Sequence, residues 1–484
     1  MKIVFSVIIG GFLLLSVVFA EKPSVRDRIA NRSYPSIFMA WHGIFNPPER
    51  KTFRETNQYH DLMWSPESLL HLERQPDETF VITGDLEFSE TEFQAYRQNP
   101  NIVILLAVPF IEASSPDAVF FNEFYDDDFP WLLDASGDHV YLDHPQIDFT
   151  DPRFLALFRA LAVAVDQSEF YDGIFIDYWD EGGVTLKGLR TLEAEVAARV
   201  EILSSVRATV SADFLILVNG NMRSASRAAP YINGVLLETY RVDMLDDYEY
   251  LSMQWFEANL RWASENLRHP QITCFEVEGI GLQYPFSDEN LQDMRAMLTL
   301  SLTHSDAYFL YTMGVNSEEE QAHRHDDLYY NPYNADHANA HAQGLFHLHH
   351  HAHYWYDFWD ADLGRPIGAK AETYENIAGL FIREFDHGFA VYNRSGKPQH
   401  IQFPENVSGF ASGIKNNRSH TIPDLDGEIY LKTINPADLN GDGTVNILDL
   451  VIVANALGKD TPDLNGDGTV NILDLIIIAK EISQ

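Results

Sequence analysis

Between Tyr34 and Val315 the chain carries eight short apolar runs rich in β-branched and aromatic residues. They occupy residues 36–41, 80–84, 102–108, 173–177, 214–219, 234–238, 272–276 and 307–311. Most are continuously apolar rather than alternating, the pattern of strands buried on both faces of a parallel sheet. Several segments between them read as amphipathic helices. Residues 151–167 open with an Asp cap and Pro152 at the first helical position, where the missing amide costs nothing. Residues 186–207, 246–268 and 288–303 follow the same pattern. Eight strands alternating with helices predict an α/β fold, a (β/α)8 TIM barrel over 21–335. Long excursions at 46–76 and 112–148 follow strands 1 and 3, where active-site loops grow on such a barrel.

After the barrel comes a His-rich connecting segment, 336–375, with the run His347-Leu-His-His-His-Ala-His353. Clustered histidines admit a metal site, an exposed hinge or a group of core-edge histidines, and no HExxH motif accompanies them. From 376 to 432 the pattern alternates, with 380–385 and 388–392 joined by Asp386-His387, predicting a small antiparallel β domain. The remainder, 433–484, contains an internal repeat.

Charge narrows the function classes. The 484 residues hold 33 Lys+Arg against 72 Asp+Glu, a net charge of −39, and such a surface repels nucleic acid. The single cysteine, Cys274, permits no intrachain disulfide or thiolate metal cluster, and its strand context predicts an inert buried thiol. Lys2, the apolar stretch 3–19 and the small-x-small sequence Val18-Phe19-Ala20 predict a secretory signal over 1–20. A membrane association is expected only if that segment stays uncleaved.

The strongest motif is the repeat itself. Asp438-Leu-Asn-Gly-Asp-Gly-Thr-Val-Asn-Ile-Leu-Asp449 recurs, identical at every position, as the twelve residues Asp463 to Asp474. A hard cation wants six to eight oxygens, and a loop delivers them by turning sharply at its sixth position, here Gly443 and Gly468. The candidate ligands are Asp438, Asn440, Asp442, Thr444 (by its carbonyl) and Asp449, then Asp463, Asn465, Asp467, Thr469 and Asp474. An apolar helix follows each loop, at 447–457 and 472–482, and no clear helix precedes either. This duplicated half-EF-hand resembles the type I dockerin. The resemblance implies an all-α module ordered by two Ca²⁺ and docking onto a cohesin-bearing scaffold protein. In that family loop positions 10 and 11 help recognise the cohesin. Here they are Ile447 and Leu448, then Ile472 and Leu473, apolar where polar residues are common. Identical repeats would also permit two docking orientations.

Barrel chemistry concentrates at the C-terminal ends of the strands. Asp177 closes strand 4, Glu238 strand 6, and Asp85 and Glu87 follow strand 2. Glu276 and Glu278 flank the end of strand 7, one of them expected to point inward, and Asp306 precedes strand 8 at the opposite face. Trp41, His42, Tyr178, Trp179 and Tyr240 lie beside these acids, and Asn219 ends strand 5. Aromatic faces next to carboxylates suit sugar rings, and two acids across a scissile bond are what glycoside hydrolysis requires. Asp172-Gly-Ile-Phe-Ile-Asp-Tyr178 is similar to the strand-4 motif of α-galactosidase-type barrels and related glycoside hydrolases. That resemblance implies Asp177 as nucleophile and Glu238 as acid/base. Trp41, His42, Asp85, Tyr178, Asn219, Tyr240 and Glu276 are expected to bind the carbohydrate, with no cofactor for catalysis. Two alternatives stay open: a non-catalytic carbohydrate-binding or scaffolded structural protein on a degenerate barrel, and a metal-dependent hydrolase using the His-rich segment.

Overall fold

The computed structural model describes residues 23–40, 44, 57–64, 70–77, 79–108, 110–112, 129–142, 144–183, 185–221, 223–239, 248–279, 285–313, 353–433, 436–440 and 445–482. Eight strands form one sheet in chain order: β1 (Phe38–Met39), β2 (Leu62–Trp64), β3 (Val103–Val108), β4 (Gly173–Ile176), β5 (Leu215–Asn219), β6 (Gly234–Thr239), β7 (Cys274–Gly279) and β8 (Tyr308–Met313). Every neighbouring pair is parallel. Ile37 bridges Phe309, and the Phe309 amide donates to the Ser36 carbonyl at 2.8 Å. The last strand therefore returns to the first in a nearly closed barrel. Strands β4 to β7 are buried along their whole length, which is why they read as unbroken apolar runs.

The second strand is not where the pattern put it. Phe80–Gly84 pairs antiparallel with Leu70–Arg74 in a separate two-stranded hairpin, and the barrel strand is the three-residue Leu62–Trp64. Three residues carry too little periodicity to compete with a five-residue β-rich run. The hairpin's half-buried alternation, with Leu70 and Leu72 inward, marks an antiparallel pair.

Helices α1 (Leu86–Tyr96), α2 (Pro152–Asp166), α3 (Leu192–Thr209), α4 (Tyr250–Asn266) and α5 (Asp288–His304) accompany the strands. Asp151 caps α2 by accepting the Arg153 amide, with Pro152 at the first position. Residues 223–233, after β5, form turns instead of a helix. α4 follows β6.

Five antiparallel strands make the second sheet: β9 (Leu380–Phe385), β10 (Gly388–Asn393), β11 (Gln399–Gly409), β12 (Asn417–Ile422) and β13 (Asp426–Lys432), in the order β9-β10-β13-β11-β12. It is bonded to the barrel's helices through buried charge. Arg394 makes two hydrogen bonds to Glu257 of α4, at 2.5 and 2.6 Å, and Tyr392 Oη donates to the same carboxylate at 3.1 Å. Arg295 of α5 is bidentate to Asp426, and Arg383 reaches Asp306 at 2.7 Å. Gly427 approaches α5 so closely that a Cβ there would lie 1.8 Å from Thr299 Oγ1. Removing one partner of such a buried pair typically costs about 3–5 kcal/mol. Residues 437–478 build their own small core from Ala437, Val453, Ala456, Val470 and Ile478.

Candidate functional site

The registers of β5 to β8 decide which side chains meet inside the barrel. Asn219 lies beside Leu236, Glu238 beside Glu276, and Glu276 beside Leu310. Phe275 packs its ring against Phe256 of α4 at 5.2 Å, so residue 275 faces the helices. Its neighbours Cys274 and Glu276, and by the two-residue period Glu278, face the interior. The expectation that only one of Glu276 and Glu278 points inward is thus corrected: positions two apart share a face, and both are buried.

Asn219 joins the two acids. Its Nδ2 donates to Asp177 Oδ1 at 2.9 Å and to Glu238 Oε2 at 2.6 Å. Its Oδ1 accepts the Asn221 amide at 3.0 Å, which fixes the NH₂ group toward the carboxylates. The two accepting oxygens can lie no farther apart than those bonds laid end to end, about 5.5 Å. Glu238 and Asn219 are buried, whereas Asp177 is partly open.

The chain turns sharply just past Asp177. Tyr178 has φ +53°, a left-handed conformation that a bulky residue rarely adopts, and its amide donates to Asp177 Oδ1 at 2.9 Å. The residue is 42% exposed. Strain of this kind concentrates at functional sites, where the surroundings hold it. The next residues are pinned. The Trp179 amide donates to the Asn219 carbonyl at 2.9 Å, and its indole donates to Glu181 at 3.2 Å. Glu181 in turn accepts the amides of Arg227 and Ala228, both at 2.8 Å. Sequence reasoning missed this positioning role of Glu181, because it depends on a loop 46 residues away.

Other expected site residues fall elsewhere. Asp85 follows the hairpin rather than a barrel strand, and its carboxylate caps α1 by accepting the Phe88 amide at 2.9 Å. Its placement at the barrel mouth is therefore corrected. Asp306 pairs with Lys370 and Arg383, both at 2.7 Å, in the seam with the second sheet. Burial pushes the Cys274 thiol well up, and the side chain is fully enclosed. Trp41, His42 and Tyr240 lie outside the described residues, as do Asp442, Thr444 and the signal segment. Of the His-rich run, His353 is described: its Nε2 lies 3.0 Å from His60 Nε2, both buried. Among the described residues no group of three or more His, Cys, Asp or Glu could hold a metal ion, and no helix is long and apolar enough to cross a membrane.

In the C-terminal repeats the helices are α6 (Ile447–Asn455) and α7 (Ile472–Ile482). The last acid of each loop works from inside it. Asp474 Oδ1 accepts the amides of Leu464 and Asn465 at 2.8 and 3.1 Å, and Oδ2 that of Asn471 at 2.7 Å. Asp449 does the same for Leu439, Asn440 and Asn446. These donors hold the Asp474 carboxyl below its usual range, the Asn471 amide foremost. Asn446 and Asn471 accept the Leu448 and Leu473 amides, each at 2.8 Å, starting each helix. Gly468 has φ +91° and lets Asp463 Oδ2 accept its amide at 2.6 Å. The oxygens of Asp463, Asn465 and Asp467 are thereby wrapped around one exposed turn. That donor set, all oxygen and largely anionic, fits a hard cation.

Residues 436–483 match the model of the dockerin type I domain, so the chain ends in a dockerin. No curated protein matches the chain. Many solved structures are similar to it, three of them as follows. A maltogenic α-amylase from Thermotoga neapolitana has 12% identity and a TM-score of 0.41, over 83% of this chain and 99% of that one. An isomalto-dextranase from Arthrobacter globiformis has 11% identity and a TM-score of 0.43, over 85% and 74%. An α-galactosidase from Geobacillus stearothermophilus has 9% identity and a TM-score of 0.40, over 84% and 56%.

Proposed function

We propose that the protein is a secreted glycoside hydrolase, attached through its dockerin to a cohesin-bearing scaffold, with Asp177 as nucleophile and Glu238 as acid/base. The observation that carries this reading is the Asn219 amide bonded at once to both carboxylates. The bonded oxygens lie within about 5.5 Å of each other, and we adopt the retaining mechanism, whose two carboxyl groups stand about 5–5.5 Å apart. In that mechanism Asp177 attacks the anomeric carbon while Glu238 protonates the departing oxygen. Glu238 then takes a proton from water, which attacks the same carbon and releases Asp177. Asn219 keeps the two acids in register throughout. Trp41, His42, Tyr178, Tyr240 and Glu276 are assigned to sugar contacts. Two Ca²⁺ would order the dockerin, one per loop, and residues 1–20 would direct secretion.

The test is Asp177→Asn on a panel of glycosides. The expected result is a fall in kcat/KM of at least about 10⁴-fold, as for loss of a covalent nucleophile, at an unchanged Tm. A wild type that binds oligosaccharides yet turns none over would refute the enzyme and favour a carbohydrate-binding protein.

A further inference from the structure

Beside the paired acids a second feature has no part in the chemistry above. A cleft of about 590 Å³ opens between the turn after β4, the turn after β5 and the outer face of α4. Its walls include Trp179, Asp180, Gly220, Arg223, Trp255 and Asn259. Two of these segments are direct continuations of the catalytic strands: Trp179 stands two residues past Asp177, and Gly220 follows Asn219. The volume lies within the range of small-molecule sites, about 300–1,000 Å³.

The lining has the chemistry of a sugar contact. Trp255, in the second turn of α4, is 37% exposed and offers an indole face against which the C–H patch of a pyranose can stack. Around it stand groups that exchange hydrogen bonds with hydroxyls. Arg223 is 70% exposed and lies 3.7 Å from Asp180, too far for a tight pair, so both retain bonding capacity. Asp180 Oδ1 accepts the Gly182 and Gly183 amides, which fixes the carboxylate on the cleft wall. Ser224 and Ser226 add hydroxyls. The absence of a helix after β5 leaves this space open, because residues 223–233 pass as turns.

We infer that this cleft is a subsite for a sugar unit remote from the scissile bond, so that the enzyme's substrate is an oligosaccharide or polysaccharide rather than a disaccharide. Trp255 stacks on the unit and Arg223 and Asp180 bond its hydroxyls. Binding energy from such a remote unit is expressed in kcat/KM only when the substrate reaches the cleft. The inference rests on the glycosidase reading, and its failure is separable from the failure of that reading.

The test compares wild type, Trp255→Ala and Arg223→Ala on oligosaccharides of two to six units in the linkage the wild type cleaves. Tm values check that the variants fold. In Trp255→Ala the ratio of kcat/KM for the hexasaccharide to that for the disaccharide should fall at least tenfold, and in Arg223→Ala about threefold. An unchanged ratio in a folded, active Trp255→Ala overturns the subsite and leaves the glycosidase standing. If the wild type cleaves nothing, the glycosidase reading fails, and the cleft is judged by binding. Tryptophan fluorescence is then titrated with maltohexaose, isomaltohexaose and cellohexaose. Binding weakened tenfold or more by Trp255→Ala sustains it; equal binding by both proteins, or none, overturns it.

Discussion

The barrel mouth and the C-terminal repeat both gather acidic oxygens, yet they are built on opposite plans. In the barrel, Asp177, Asn219 and Glu238 come from three strands, 42 and 19 residues apart, and the charges are already held by side-chain donors. In the repeat, every oxygen proposed for one cation lies within twelve consecutive residues. Asp449 and Asp474 are buried and held by amides, while the oxygens at the turn of the second loop stay exposed. The first is ordered by the fold around it. The second places several carboxylates in one short turn, an arrangement that a cation completes by cancelling their repulsion. A site assembled by topology should keep its shape when small ions are removed, and one assembled by a loop should not.

Chelation gives the largest separation between the two. With excess EGTA, the far-UV signal of α6 and α7 and capture on an immobilised cohesin should be lost, the capture by more than about a hundredfold. Hydrolysis of a soluble glycoside should stay within about twofold. Calcium should restore capture. Loss of hydrolysis in step with capture would break the comparison by making the barrel depend on the ion as well.

The same contrast explains how much could be read from the chain. The dockerin was legible because its loop is a local pattern repeated at a fixed offset, and residues 436–483 match that domain. Barrel strands β3 to β8 were legible from their unbroken apolar runs. β2 was not, since Leu62–Trp64 is three residues long and the nearby hairpin strand Phe80–Gly84 has the richer pattern. That substitution alone misplaced Asp85. The acids Asp177 and Glu238 were visible as strand ends. The resemblance paired them, and Asn219 was expected to bind carbohydrate; that Asn219 bonds to both acids was not legible, because it follows from the register of β5 against its neighbours. Nor did residue pattern disclose Glu181, whose partners sit on the following loop.

Acid should also separate the regions, by a smaller amount. His304, at the end of α5, is buried against the second sheet, and burial pulls its pKa from 6.5 to about 4, with Glu257 nearby opposing the shift. The folded state therefore holds the neutral ring while the unfolded chain binds the proton more readily. Stability contributed by this group is complete above about pH 6.5 and is lost as pH falls toward 4, by about 3 kcal/mol in all. Chemical denaturation of the barrel between pH 7 and 4 should show that slope, and His304→Leu should flatten it. The dockerin transition, followed separately, should be unaffected by His304→Leu. An equal slope in the variant would assign the acid sensitivity to other groups.

The smallest effect concerns what the dockerin presents. Ile447, Leu448, Ile472 and Leu473 are between 51% and 64% exposed, although each helix has a buried side supplied by Val453 and Ile478. These four are not core; they form two equivalent apolar patches, one at the start of each helix. Because the twelve-residue repeats are identical, a cohesin that can engage either patch loses only one of two equal options when a single patch is spoiled. Leu448→Asp should then weaken binding by about twofold, the statistical factor, and Leu473→Asp by the same amount. The double variant should lose far more than the product of the singles, a non-additivity expected of sites that substitute for one another. Titration of the three variants against one cohesin at fixed calcium measures this directly. A large loss from either single substitution would mean that one orientation is used, and that sequence identity between the repeats does not carry over into equivalent docking.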